Sequence, residues 1–210
     1  INAAGRIESG KKAVELMISD NPEMAKIGGT EIDGQNMNRR ELDAAITEEA
    51  LAMIDADDKL KKQKSTVLYK EDWHKGVIGI VASRCIEKYY RPTIILTESN
   101  GKAAGSARSV KDFSVYDAID ACSDLLTQFG GHKYAAGMTM PIENVPAFQK
   151  KFEEVVSSTI PDKLLIPEIE IDSEIELTEI NKKFYSVLKQ FAPFGPANMK
   201  PVFMCKGVND

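Results

Sequence analysis

The segment Ser65-Thr-Val-Leu-Tyr69 is a short run rich in β-branched and aromatic residues, which is typical of a strand. An apolar helical stretch from Val77 to Tyr90 follows it, and Pro92-Thr-Ile-Ile-Leu-Thr97 then has the composition of a second, buried strand. Strands that alternate with helices indicate an α/β fold. The sequence therefore predicts a mixed or mostly parallel β-sheet with helices on its faces.

The same alternation continues towards the C-terminus. Lys102 to Ser109 is small and polar, which predicts an edge strand or a functional strand. Ser114 to Gln128 is amphipathic and predicts a helix that Gly130-Gly131 ends. A strand from Tyr134 to Met140 and a helix from Asn144 to Ser158 are expected to complete this part of the chain.

The N-terminal part of the chain is predicted to be helical. A short helix is predicted over residues 10–19, ended by Asn21-Pro22, and the glycines at Gly28-Gly29 and Gly34 predict a loop. From about Asn38 to Lys62, apolar residues recur at helical spacing opposite a charged face, which favours a long connector helix on a domain surface.

A boundary is expected near Ile160-Pro161. Beyond it, Ile169 to Leu177 alternates apolar and acidic residues, which predicts a half-exposed strand of antiparallel type. A helix over 179–191 and a strand over 201–204 should follow, as at the start of a small, incomplete β-barrel. The predicted domains are thus 1–63, 64–160 and 161–210.

The amino-acid composition limits the classes of protein and the kinds of site that this chain can represent. The 210 residues are 43% hydrophobic and 28% charged, as in globular proteins, and contain no apolar run long enough to span a membrane. The three cysteines lack the spacing of a metal site and suit reduced thiols in the cytoplasm. Because the net charge is −5, a nucleic-acid site must be a local concentration of hydrogen-bond donors. Ile1 is not a start methionine, and both ends suggest a piece of a longer protein.

Gly130-Gly131-His132-Lys133 is the first candidate site. Two glycines allow positive φ and close approach to a ligand, and a histidine presented by such a loop can donate to an oxyanion. A glycine-rich helix end with a surface histidine is an equally good interpretation of these residues alone.

Two further segments favour anion binding. In Gly105-Ser106-Ala107-Arg108-Ser109, residues 106 and 108 share one face of a strand, so a hydroxyl and a guanidinium converge as phosphate ligands. Trp73-His74-Lys75-Gly76 precedes a helix, whose free N–H groups attract anions. The structural alternatives are a solvated arginine on an edge strand, a packed tryptophan and a histidine that caps the helix.

Several of these motifs resemble the RecJ family of the DHH phosphoesterase superfamily. Gly130 to Gly137 resembles the Gly-Gly-His loop of the DHH-associated accessory domain, and Trp73 to Arg84 resembles the family's "WHxGVxGIVASR" segment. Asn2-Ala-Ala-Gly-Arg6 resembles "NAAGR", Gly105 to Ser109 resembles "GSxRS", and Pro193 to Asn198 resembles "PFGxGN" of the oligonucleotide-binding (OB) domain. The resemblance covers nearly the whole chain in the family's order, although Ala197 replaces a glycine.

The resemblance implies a 5′-to-3′ single-stranded-DNA exonuclease of DNA repair and recombination. It implies that Arg6, Ser106 and Arg108 hold a 5′-phosphate and that His132 stabilises the scissile phosphate as a catalytic residue. His74, Ser109, Gly130, Gly131 and Lys133 are expected to line the cleft. Mn²⁺ or Mg²⁺ is expected on a preceding lobe with an Asp-His-His motif; that motif does not occur here, so no metal site is expected in this piece.

The expected partners are single-stranded DNA, a single-strand-binding protein and a helicase, with no membrane. Three alternatives remain open: a nucleic-acid-binding module without catalysis, the accessory domain of a small-nucleotide phosphodiesterase, and a synthetase editing-type accessory domain. The OB-like segment disfavours the second, and the Trp-His-Lys-Gly segment disfavours the third.

Overall fold

A computed structural model describes residues 2–208, and the chain divides into two compact units between Ile166 and Pro167. The outer limits of the expected domains, at Ile1 and Asp210, lie outside the described residues. The first unit opens with four helices: α1 (Ala4–Ile7), α2 (Lys11–Met17), α3 (Pro22–Ala56) and α4 (Asp58–Lys62).

Helix α3 is longer than the sequence predicts. It begins where the Asn21 side chain accepts hydrogen bonds from the N–H groups of Glu23 (2.9 Å) and Met24 (3.3 Å), and it runs through Gly28, Gly29 and Gly34 without a break. The predicted loop is therefore wrong. Each interior glycine costs about 1 kcal/mol relative to alanine, and packing of the buried α3 side chains, among them Ile32, against neighbouring helices offsets this cost.

The sheet of the first unit is mixed, as predicted. Its strands are β1 (Thr66–Tyr69), β2 (Thr93–Ser99), β3 (Lys102–Arg108), β4 (Gln128–His132) and β5 (Ala135–Met140), in the spatial order β1-β2-β3-β5-β4. Helix α5 (Ile78–Tyr89) connects β1 to β2, which are parallel, whereas the other neighbours are antiparallel.

Two predicted elements need correction. Strand β3 is not an edge strand, because β2 and β5 pair with it on either side. The helix predicted from Ser114 to Gln128 is only α6 (Val115–Asp120), and Gly130-Gly131 belong to strand β4 rather than to a helix-breaking loop. Apolar spacing was misleading here because Leu125, Leu126 and Phe129 contact the core from a 3-10 turn and a strand.

The two faces of the sheet pack against different helices. On one face, Ile94, Ala107 and Met138 pack with α6 and with α7 (Val145–Thr159), which contributes Phe148 and Phe152. On the other face, Leu68 and Ile95 share a core with α3 and α5, and α5 contacts β2 and β3. Beside α5, that second face continues over β5 and β4 with small or polar residues that are partly or fully exposed: Ala135, Gly137, Gly130 and His132. The site lies on this open area.

The second unit contains α8 (Lys182–Lys189), β6 (Ser173–Glu174) and β7 (Phe203–Met204). The nine-residue antiparallel-type strand predicted over 169–177 is wrong, since only two of its residues form a strand, parallel to β7. Ile169 and Ile171 are exposed, so within this unit they lack the apolar layer that a half-buried strand needs. Among residues 2–208, no helix is long and apolar enough to cross a membrane.

Candidate nucleic-acid phosphate site

A cavity of about 530 Å³ lies on the open area of the sheet, beside the start of α5. Four residues expected to bind phosphate or DNA line it: Arg6, Ser106, Arg108 and Gly130. No aspartate or glutamate of residues 2–208 lines it, although the whole chain contains 32 acidic and 27 basic residues. The cavity is thus a local concentration of positive charge on an acidic protein.

Ser106 and Arg108 lie on the same face of β3. The Arg108 Nη1 donates to Ser106 Oγ at 3.0 Å and to the carbonyl oxygen of Ala107 at 2.7 Å. Burial lowers the pKa of Arg108, and the nearby positive charge of Arg6 lowers it further. Neither guanidinium forms an ion pair with a carboxylate of residues 2–208. A bound anion would relieve the repulsion between the two cations.

Two glycines allow the arginines to approach this point. A Cβ at Gly76 would lie 1.8 Å from the carbonyl oxygen of Arg6, so only glycine lets the backbone of α1 pack here. A Cβ at Gly79 would lie 2.8 Å from Arg108 Nη2 and 2.9 Å from Ser106 Oγ. The missing side chain of Gly79 therefore makes the space that the guanidinium and the hydroxyl occupy.

The N-terminus of α5 adds backbone donors to the same cavity. Ile78 and Gly79 line the cavity, and their N–H groups have no hydrogen-bond acceptor within the described part of the chain. The first N–H groups of a helix lack intrahelical partners and carry the positive end of the helix dipole. With the two guanidiniums and the serine hydroxyl, they form a donor set suited to a phosphate.

His132 lies at the end of β4, at the margin of this area. It is exposed and does not line the cavity, but it shares a sheet face with Gly130, which does. Its Nδ1 accepts a hydrogen bond from the N–H of Tyr134 at 3.2 Å, so the ring N–H lies on Nε2. The Nε2–H can therefore donate to an anion on the open face.

Gly131 has a structural role next to His132. Its φ is +151°, and a Cβ there would lie 2.3 Å from the carbonyl oxygen of Ala135. Glycine is thus required for β4 to pair closely with β5, and this pairing positions His132. The glycine pair therefore lies within a strand rather than in a loop, and Gly130 still lines the cavity.

The remaining predicted residues do not line the cavity. Lys133 pairs with Asp112 at 3.6 Å, and Ser109 Oγ donates to the carbonyl oxygen of Phe113 at 2.9 Å. His74 Nδ1 accepts from the N–H of Gly76 at 3.1 Å, which fixes the turn before α5. Trp73 is buried and donates to Glu49 at 2.7 Å, so the packing interpretation is right for this residue.

Known proteins resemble this chain in sequence and in structure. The DHHA1 domain model matches residues 62–158, and the RecJ OB domain model matches residues 171–210. The single-stranded-DNA-specific exonuclease RecJ of Bacillus subtilis is 36% identical over 203 residues, which are 96% of this chain and 26% of that protein. The RecJ of Salmonella typhimurium is 31% identical, over 97% of this chain and 36% of that protein.

The chain belongs to the RecJ family. The crystal structure of Thermus thermophilus RecJ in complex with Mg²⁺ superposes with a TM-score of 0.85 at 32% identity, covering 97% of this chain and 31% of that one. A structure of exonuclease RecJ bound to manganese gives a TM-score of 0.68 at 34% identity, over 77% of this chain and 40% of that one. This RecJ-family chain spans about a quarter to a third of the curated relatives that it matches.

The described side chains of this RecJ-family chain are poorly suited to holding a divalent metal. Within residues 2–208, no group of three or more histidines, cysteines, aspartates or glutamates could hold a metal ion. The cavity itself presents guanidinium and hydroxyl groups, which repel or bind a cation poorly. The described residues do not fit Mg²⁺ or Mn²⁺, so no metal-dependent step is assigned to them.

The sequence interpretation gave no individual role to several residues of the candidate site, although the segment Trp73-His74-Lys75-Gly76 was expected to favour anion binding. Gly76 and Gly79 shape the cavity, and Lys75 and Gln128 line it. A glycine inside an otherwise apolar helix was the available indication for Gly79, since such a residue costs helix stability unless close packing requires it. No local sequence pattern indicated that Gln128 lines the cavity, because its position depends on the register between β4 and β5.

Proposed function

We propose that this chain is the substrate-binding part of a 5′-to-3′ single-stranded-DNA exonuclease, which hydrolyses phosphodiester bonds in DNA repair and recombination. The observation that carries the proposal is that the guanidiniums of Arg6 and Arg108 converge beside the Ser106 hydroxyl and form no ion pair within residues 2–208. In this proposal residues 64–160 hold the 5′-terminal phosphate together with Arg6, and residues 161–210 bind the strand.

The arrangement suits a terminal phosphate better than a backbone phosphate. A terminal phosphate carries an additional negative charge, and two guanidiniums in one small cavity can neutralise it. Ser106 supplies a neutral donor, and the start of α5 supplies N–H groups directed at the same volume. The anchor would fix the 5′ end and so set the position of the next phosphodiester bond.

His132 is proposed to act on that next phosphate. It lies on the sheet face of the cavity but outside the cavity, so it would meet a different phosphate from the one at Arg108. A donor of this kind that stabilises developing negative charge contributes roughly 10²–10³ in rate. Mg²⁺ or Mn²⁺, held elsewhere in the complete protein, would supply the activated water.

A binding module without chemistry is the second candidate function. The described residues are consistent with it, because they provide anion donors and no group of three or more metal-ligating side chains. Both functions require the same phosphate site, so the first experiment addresses the site itself. A small-nucleotide phosphodiesterase is disfavoured because the RecJ OB domain model matches residues 171–210.

The test compares binding of 5′-phosphorylated and 5′-hydroxyl single-stranded oligodeoxynucleotides to this chain by fluorescence anisotropy. We expect the phosphorylated strand to bind about 10-fold more tightly, as for one well-formed charged contact. Arg108→Ala should make the two affinities equal. Arg40 is an exposed arginine on α3, and Arg40→Ala should leave the ratio of the affinities unchanged. Equal affinities of the unmodified chain for the two strands would refute the proposed phosphate site.

A further inference from the structure

A second cavity of about 310 Å³ adjoins the first on the same sheet face. Lys75, Ala104, Gln128 and Thr139 line both cavities. The last three of these form a row across β3, β5 and β4, next to the row Ser106–Gly137–Gly130. Successive rows on one face are about 6.6 Å apart. The phosphate cavity is therefore open at this end rather than closed.

The turn between β2 and β3 fixes the far wall of the second cavity. Ser99, Asn100 and Lys102 line the cavity, and Asn100 and Gly101 have φ values of 55° and 74°. Two consecutive positive φ values at an Asn-Gly pair are typical of a tight two-residue hairpin turn, which holds the flanking residues in place. Lys102, at the first position of β3, is presented by this rigid turn.

The second cavity is also positively charged, and none of the acidic residues that the structure describes lines it. Neither Lys75 nor Lys102 forms an ion pair with a carboxylate of the described chain, and the one hydrogen bond of the Lys75 side chain, to Ser99 Oγ, is long at 3.5 Å. Glu98, close in sequence, lies on the opposite face of the sheet, and its carboxylate accepts from the N–H of Gly101 at 2.5 Å.

Four cations that form no ion pair within residues 2–208 thus line one groove made of the two adjoining cavities: Arg108 and Arg6 line the first cavity, Lys75 lines both, and Lys102 lines the second. Neutral donors accompany the lysine end: the hydroxyl groups of Ser99, Thr127 and Thr139, and the amides of Asn100 and Gln128. A single terminal phosphate at Ser106 and Arg108 would leave this end without an anion. Along β3, Lys102 is four residues from Ser106, about 13 Å between Cα atoms, and Lys75 lines the space between them.

We propose that Lys102, together with Lys75, forms a second anion subsite for phosphate groups linked to the 5′ side of the gripped phosphate, as in a 5′-triphosphorylated strand. The inference rests on the proposed function, since it takes the first cavity as the site of the phosphate joined to the sugar. The groove then accepts 5′ ends that carry a phosphate chain, and does so more tightly than monophosphorylated ends.

The experiment measures the affinity of this chain for one oligodeoxynucleotide with a 5′-hydroxyl, a 5′-monophosphate or a 5′-triphosphate, in metal-free buffer at low ionic strength. Lys102→Ala and Lys102→Glu are the informative variants, because Lys102 lines only the second cavity. Lys62→Glu, at an exposed lysine on α4 that makes no ion pair with the described residues, is the matched control for charge.

We expect the unmodified chain to bind the triphosphate about 10-fold more tightly than the monophosphate, as for two lysine–phosphate contacts. Lys102→Ala should remove most of this gain and Lys102→Glu all of it, with little change for the monophosphate. A gain that survives Lys102→Glu, or no gain although the monophosphate binds better than the hydroxyl, overturns the second subsite alone. Equal binding of monophosphate and hydroxyl strands instead overturns the proposed function.

Discussion

Arg108 and His132 both pair with Ala135, from opposite sides of strand β5. Residues directly opposite each other on adjacent strands point to the same face, so both side chains project from the open face of the sheet. Two strand spacings separate them, about 10 Å. Ala135 lies between them, and Gly137 and Gly130 lie in the next row. Because these residues have small side chains or none, a nucleotide can lie across this part of the sheet.

His132→Ala tests whether His132 acts on the reacting phosphate while Arg108 anchors the substrate. In the complete protein, we expect kcat for single-stranded DNA to fall about 10²–10³-fold, because a donor to the reacting phosphate is lost. KM should change little, since the anchor at Arg108 remains. Lys133→Ala, next in sequence but directed at Asp112, should reduce kcat far less. A defect confined to KM would reassign His132 to binding.

Gly79→Ala tests the close contact between α5 and Arg108. The added methyl would lie 2.8 Å from Arg108 Nη2 and must displace it, so affinity for a 5′-phosphorylated strand should fall about 10-fold. The melting temperature should not fall in parallel, because alanine favours a helix by about 0.5–1 kcal/mol over glycine.

Gly29→Ala is the matched control for that substitution. Gly29 is also helical, and a Cβ there would meet nothing within 4 Å. The change should stabilise α3 and leave binding unaltered. If Gly79→Ala binds the phosphorylated strand as tightly as Gly29→Ala does, the proposed shaping of the cavity by Gly79 is wrong.

Local pattern was sufficient to predict the central α/β alternation, since Thr66–Tyr69, Ile78–Tyr89 and Thr93–Ser99 each carry their own periodicity. It was also sufficient to select Ser106 and Arg108, because two residues separated by one in a strand share a face whatever the register. The predictions that rested on one glycine pair or on one long apolar run were less successful.

Gly28-Gly29 and Gly130-Gly131 show why a glycine pair is a poor predictor of where an element ends. Each pair was interpreted as a break, yet one lies inside α3 and the other inside β4. A glycine costs an element about 1 kcal/mol, and tertiary contacts exceed that cost: core packing of α3 in one case and close pairing with Ala136 in the other. Lys102 and Gln128 meet in the second cavity only through strand register, which no local pattern encodes.

Asp43 is expected to stabilise the packing of α5 against α3. It is 1% exposed, and it accepts from Arg84 Nε and Nη2, both at 2.9 Å, which joins α3 to the helix that carries Gly79. Asp43→Asn should lower the free energy of unfolding by about 1–3 kcal/mol, since the bidentate pair with Arg84 and the longer ion pair with Arg39, at 3.4 Å, are both weakened, while Arg84 keeps access to solvent. Urea denaturation measures this change.

Asp58→Asn is the comparison for Asp43→Asn. Asp58 pairs with Lys61 at 2.6 Å, but its side chain is 86% exposed, so its removal should cost less than about 0.5 kcal/mol. Equal losses of stability in the two variants would contradict the assigned role of Asp43.

Thiol reactivity should distinguish the buried cysteines from the third one. Burial raises the pKa of Cys85 and of Cys122 to about 11, whereas Cys205 is partly exposed. Because only the thiolate reacts, a pKa of about 11 leaves roughly one thiol in 10³ reactive at pH 8, and burial excludes the reagent as well. A chromogenic disulfide reagent should therefore modify one thiol per native chain at pH 8 and all three in denaturant. Cys205→Ser should remove the native reaction, and rapid modification of this variant without unfolding would show that the core around Cys85 and Cys122 admits the reagent.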